Sequence, residues 1–114
     1  MTGTASHPAV PPAGSARLFA ALGDETRLRL VSRLCDEGPL SVTALTGGFQ
    51  VTRQAITKHL LVMEEAGLVR HTRHGRESVW QLSPEGLQDA RRYLEQISRQ
   101  WDDALGRLRA FVEE

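Results

Sequence analysis

The sequence predicts a mainly α-helical domain that carries one small β-hairpin and ends in a long helix. Three observations predict it. Apolar residues recur at helical spacing through most of the chain after residue 15. Between Val69 and Leu82 the period drops to two, around a His74-Gly75 turn signal. From Ser83 almost to the end, apolar residues again recur every three or four positions.

Composition bounds the answer before any element is placed. At 114 residues the chain is one domain, small enough for an oligomer interface to add to its core. With 25% charged and 40% hydrophobic residues it reads as an ordinary soluble globular chain. Three Phe, two Trp and one Tyr leave most of the core to aliphatic side chains. No apolar run approaches a membrane span, and the N-terminus lacks a basic-then-apolar signal, so a cytoplasmic protein without a membrane partner is expected. The single cysteine, Cys35, fits a reducing compartment; as a helical thiol it is expected to be buried and to act as a small hydrophobe.

The net charge of zero argues against a nonspecific nucleic-acid coat, but its distribution is uneven. From Gln50 to Arg76 five cations face two acids, a local balance of +3. From Ser83 to Glu114 five arginines face seven acids, a balance of −2. A positive field therefore collects on one segment, as a nucleic-acid surface requires.

Residues 1–14 hold three of the five prolines among small residues, with no Lys or Arg, and are expected to form a disordered arm that does not reach into DNA. A short helix, ARLFAAL, follows Ser15 and stops at Gly23. Asp24 is placed to cap the next helix, with Glu25 favoured in its first turn. Leu28, Val31, Leu34 and Cys35 form that helix's expected core stripe, with Leu30 also apolar, and Arg27, Arg29 and Arg33 point elsewhere, largely into solvent. Gly38-Pro39 ends it.

Ser41 caps a third short helix, VTALT, broken by Gly47-Gly48. The next helix is expected over 52–67, with Thr52 as its cap and Gly67 in the left-handed position that ends it. Ile56, Leu60 and Met63 make its core stripe, whereas Arg53, Gln54, Thr57, Lys58 and Leu61 lie on or beside the opposite face. Short helix, glycine turn, longer helix with a polar outer face is the helix-turn-helix layout.

The hairpin completes it. With His74-Gly75 as the two-residue turn, Arg73 pairs with Arg76, His71 with Ser78, and Val69 with Trp80. Val69, Trp80 and Leu82 then share an apolar face, and Arg73, His74 and Arg76 cluster at the tip. A hairpin with a buried root and a cationic tip is a wing, so the fold expected for 15–82 is a winged helix-turn-helix. Ser83-Pro84 starts the last helix, 83–114. Its stripe of Leu87, Ala90, Leu94, Ile97, Trp101, Ala104, Leu108 and Phe111, flanked by Leu105, is longer than the domain needs for its own core. It is expected to be a dimerisation helix.

The segments LFAALGDETRLRLVSRL (Leu18 to Leu34), KHLLVMEEAGLV (Lys58 to Val69) and RHGRESVWQLSPEG (Arg73 to Gly86) resemble the ArsR family of winged helix-turn-helix repressors. The resemblance covers roughly Ser15 to Leu82. It implies a homodimer that binds a double-stranded DNA operator and represses transcription until a signal releases it. Metal-sensing members of the family carry a Cys-x-Cys motif before the reading helix, or His and carboxylate ligands in the last helix. Here the early segment reads RLCDEGPL with Cys35 alone, and no histidine follows His74. Soft metals need paired thiolates and zinc needs three or four ligands. The expectation is a metal-independent member with no cofactor and an inducer of unassigned chemistry.

The candidate DNA-binding residues are Thr52, Arg53, Gln54, Thr57 and Lys58 on the reading helix and Arg73, His74 and Arg76 on the wing. Gln54 suits adenine, Arg53 suits guanine or phosphate, Thr57 suits a base edge or thymine methyl, and Lys58 suits phosphate. His59 lies toward the buried side and is expected to make a structural hydrogen bond. The candidate dimer interface is Leu18, Phe19, Leu22, Leu87, Leu94, Ile97, Trp101, Leu105 and Leu108. No Gly-rich phosphate loop, nucleophile motif or ligand cluster points to an enzyme. A protein-interaction module on the same scaffold, or a metal-responsive repressor with a different ligand pattern, are the competing readings.

Overall fold

The computed structural model describes residues 14–113, so the expected N-terminal arm, save Gly14, lies outside the described residues. The chain order is α1 (Ser15–Leu22), α2 (Glu25–Glu37), β1 (Leu40–Ser41), α3 (Val42–Thr46), α4 (Arg53–Glu65), β2 (Val69–His74), β3 (Glu77–Leu82) and α5 (Pro84–Glu113). The fold is a winged helix-turn-helix with a long C-terminal helix.

Local chemistry sets the helix ends. The side chains of Asp24, Ser41 and Thr52 accept hydrogen bonds from the backbone N–H groups of Arg27, Ala44 and Ala55, satisfying donors that an uncapped helix leaves open. At the far end of α4, Gly67 takes φ +87°. Its N–H donates to the Glu64 carbonyl at 3.0 Å and the Leu68 N–H to the Met63 carbonyl at 2.9 Å. These two bonds are the Schellman closure, and the accompanying contact is apolar because Met63 and Leu68 are both buried.

The core is almost wholly aliphatic. Leu30, Leu45, Ile56, Leu60, Met63 and Leu68 are fully enclosed, and among the described residues Trp80 is the one aromatic in the buried set. Two expectations for α2 are corrected here. Leu28 is 51% exposed and Cys35 is exposed, while Leu30 and Leu34 are the residues that enter the core. The helix is rotated so that Leu30, Leu34 and half-buried Val31 face inward, which leaves Leu28, Ser32 and Cys35 at i, i+4 and i+7 on the outer face.

The wing register is also corrected. Val69 pairs with Leu82, His71 with Trp80, Arg73 with Ser78 and His74 with Glu77, so Gly75-Arg76 forms the turn. Only Gly75 of the pair has positive φ (+65°), which suits a turn with glycine at its first central position; a His74-Gly75 turn of the primed type would ask more of histidine. The slip moves every pairing by two residues, so side chains keep their faces. Val69 and Trp80 are buried and Leu82 packs against the core as expected. A third strand, β1, extends the hairpin: Leu40 pairs with Trp80 and Ser41 with Val79, giving a sheet ordered β1-β3-β2.

Helix α5 starts at Pro84, with the Ser83 hydroxyl accepting from the Gly86 N–H. Its first turns dock on the domain so closely that a Cβ on Gly86 would lie 1.9 Å from the Gly67 carbonyl oxygen. Phe19 of α1 meets Tyr93 of α5 with ring centroids 5.5 Å apart. Beyond Gln100 every described residue of α5 is exposed, and the molecule extends 63 × 36 × 20 Å. Among the described residues no helix is long and apolar enough to cross a membrane.

Candidate nucleic-acid interface

The candidate surface begins at the Thr52 cap, after which α4 turns side chains outward. Arg53, Gln54, Thr57 and Lys58 line one shallow, open concavity across the first two turns of α4. Arg53, Gln54 and Lys58 are exposed and Thr57 is half-buried. The Thr57 hydroxyl donates to the Arg53 carbonyl at 3.0 Å, which pins its rotamer and leaves its oxygen to accept and its methyl to make apolar contact. Ile56, Leu60 and Met63 bury the opposite face completely, so rotation of the helix about its axis is prevented by packing.

His59 sits between the two faces, as expected of a structural residue. Its Nδ1 lies 3.3 Å from Arg27 Nη1 and 3.8 Å from Asp24 Oδ2. Asp24 is held below the usual carboxylate range, first by the Arg27 backbone N–H and then by the charges of Arg27 and His59. Arg27 Nε also donates to the Ala21 carbonyl, so this cluster ties α1, α2 and α4 together.

Arg73, His74 and Arg76 are all exposed at the wing tip. Among the described residues Arg53, Lys58, Arg73 and Arg76 make no ion pair, while Arg70, lower on the wing, faces Glu85 of α5 at 3.9 Å. The first two turns of α4 and the wing tip thus each carry two cations free of ion pairs, Arg53 with Lys58 and Arg73 with Arg76. At the wing root the His71 ring stacks on Trp80, 4.4 Å between centroids, and its Nδ1 lies 2.7 Å from Glu64 Oε2. This joins the wing to the last turn of α4.

The residues expected at a partner surface divide. Leu18 is corrected: it is buried in the chain's own core at 4% exposure. Leu22 packs against that core, Phe19 is half-buried beside Tyr93, and Leu87 and Ile97 are half-buried. Leu94, Trp101, Leu105 and Leu108 stand between 52% and 67% exposed, joined by Phe111 and Val112.

Sequence reasoning missed the arginines of α2. Arg33 donates to the carbonyls of Ala44, Leu45 and Gly47, and the Arg29 guanidinium stands 4.7 Å over the Phe49 ring. Only the Arg33–Glu37 pair, at i and i+4, had a signal in the sequence.

Residues 22–72 match the model of a helix-turn-helix domain family. The chain is 40% identical over 89 residues to the HTH-type transcriptional regulator Rv2034 of Mycobacterium tuberculosis, covering 78% of this chain and 79% of that protein. Its fold matches an ArsR-like transcriptional regulator from Rhodococcus sp. RHA1 with a TM-score of 0.70 and 35% identity, across 87% of this chain and 92% of that one. A homodimeric winged helix-turn-helix DNA-binding domain from Mycobacterium bovis, at 24% identity and a TM-score of 0.62, shares the fold over 76% of this chain and 79% of that one. With a capped, outward-facing reading turn beside a cationic hairpin, and relatives of this kind over most of its length, the chain belongs to the ArsR family of winged helix-turn-helix DNA-binding transcriptional regulators.

Proposed function

We propose that the protein is a cytoplasmic homodimeric repressor. Each protomer lays the first turn of α4 in the major groove and its wing tip, Arg73, His74 and Arg76, on the backbone or in the minor groove. The observation that carries the reading is the single outward face shared by Arg53, Gln54, half-buried Thr57 and Lys58, on a helix whose other face is locked in the core. Gln54 and Thr57 read base edges, Arg53 reads guanine or grips phosphate, and Lys58 grips phosphate.

The exposed stripe of α5 supports the dimer. Leu94, Trp101, Leu105, Leu108, Phe111 and Val112 make a row of large apolar side chains that a lone soluble chain rarely shows to water. A second copy covers the row by antiparallel or parallel helix pairing and so holds two reading helices at fixed separation. Half-sites about 10 bp apart follow from that geometry. Selection from a random DNA pool tests groove reading and spacing together; the expected product is an inverted repeat, and recovery of no common sequence would defeat the proposal.

On this reading the protein is a metal-independent member of its family. Cys35 is a lone exposed thiol, His71 is engaged with Glu64, and among the described residues no three His, Cys, Asp or Glu side chains gather as a metal site. Titrating zinc or cadmium into the operator complex checks this. Affinity is expected to stay constant; release at stoichiometric metal would overturn it.

A further inference from the structure

Helix α3 has only five residues, and its C-terminus lacks the usual glycine closure. Gly47, which follows it, is extended at φ −60° and ψ 131° instead of left-handed. The last carbonyls of any helix lack partners within it. Here Arg33 of α2 supplies them: its Nη1 donates to Ala44 O at 3.1 Å, Leu45 O at 3.1 Å and Gly47 O at 2.8 Å. The other edge of the guanidinium is held by Glu37, with Nε at 3.0 Å from Oε2 and Nη2 at 3.5 Å from Oε1. One helical turn earlier on α2, the Arg29 guanidinium covers Phe49, two residues beyond Gly47. Helix α2 thus grips both ends of the Gly47–Phe49 turn, and α4 begins four residues later at Arg53.

We propose that Arg33 is a positioning residue for operator recognition: by closing the end of α3 and anchoring Gly47 it sets the angle and register at which the first turn of α4 meets base edges. The inference rests on the reading role of α4. A planar fork with one edge on a carboxylate and the other on three carbonyls is a task lysine cannot reproduce. Because the guanidinium already holds Glu37 and three carbonyls within the chain, a phosphate would have to compete with those bonds. That favours a positioning role over a direct one.

The test uses Arg33→Lys in the full chain. Affinities are measured for the duplex that the wild type selects from a random pool and for a random duplex of equal length, below the variant's own unfolding midpoint. The operator-to-random ratio is expected to fall roughly tenfold to a hundredfold, the scale of one bidentate base contact. Random-DNA affinity and its salt slope are expected to hold. An equal loss on both duplexes, with the salt slope reduced by about one, would make Arg33 a phosphate contact and overturn the proposal. An unchanged ratio, whatever the change in melting temperature, would reduce it to a structural tie and overturn it equally. Glu37→Gln, which keeps the carbonyl bonds but removes the charge that orients the fork, serves if Arg33→Lys does not fold; a several-fold fall in the same ratio is expected, and an unchanged ratio overturns the proposal. A wild type that selects no sequence would instead defeat the reading role of α4 itself.

Discussion

At the scale of single residues, neighbours on one surface carry different tasks. Gln54 offers both a donor and an acceptor to a base edge, whereas Arg76 offers charge at the wing tip. Gln54→Ala should therefore flatten the preference among operator variants, and Arg76→Ala should weaken binding to all sequences alike, as competition assays with matched duplexes would show. Equal loss on specific and random DNA for Gln54→Ala would remove it from base reading. Gly86→Ala has no room: its Cβ would lie 1.9 Å from the Gly67 carbonyl oxygen, a backbone atom that cannot swing aside. The docking of α5 must shift, and a loss of about 1–3 kcal/mol in urea unfolding is expected. Acid should weaken the fold as well. Asp24, Glu37 and Glu85 are all held below their ordinary values, chiefly by the Arg27 backbone N–H, the Arg33 guanidinium and the Glu85 backbone N–H respectively. A carboxyl whose pKa is lower folded than unfolded adds stability that is whole above its unfolded value and is lost as pH falls through the folded one. Melting temperature is therefore expected to hold from neutral pH to near 5, which lies above the ordinary carboxylate values, and to fall below about 4.

At the scale of elements, α4 is defined at each end by one residue and on each side by its neighbours. Thr52 caps its start and Gly67 closes its end. Thr52→Ala should cost about 1 kcal/mol and loosen the turn that carries Arg53 and Gln54. The wing is fastened separately, through His71 between Glu64 and Trp80. His71→Ala leaves all the tip cations in place but removes that fastening. Its expected result is faster amide exchange along β2 and β3, with roughly twofold to tenfold weaker binding to every duplex. Undiminished binding together with faster exchange would show that the wing needs no such anchor.

At the scale of the whole molecule, the unusual feature is a 30-residue helix of about 45 Å, half of it bare. The docked half packs Ala90 against the core and half-buries Leu87; the protruding half shows Trp101, Leu105 and Leu108 to solvent. Trp101→Glu with Leu108→Glu should raise the dimer dissociation constant by roughly a hundredfold or more, the worth of two large buried side chains. Sedimentation would read the dissociation. Operator affinity should fall with it, while the isolated domain keeps its fold because neither residue touches the core.

Much of this was legible in the chain itself. Caps at Asp24, Ser41 and Thr52, the glycine stop at Gly67 and the Ser83-Pro84 start are short-range chemistry, settled within four residues of each position. The alternating faces of α4 and of the wing follow from helical and strand periods, which is why a two-residue slip in the hairpin left its buried face correct. What the sequence alone left open were contacts made across long separations. The rotation of α2 that buries Leu30 and exposes Leu28 and Cys35 depends on where α1, α4 and β3 lie. Arg33 depends in the same way on where α3 lies: its partners at Ala44, Leu45 and Gly47 are 11 to 14 residues away and are carbonyls that any residue type could carry. Periodicity names the faces of a helix but not the neighbour each face meets, and only packing in three dimensions decides that.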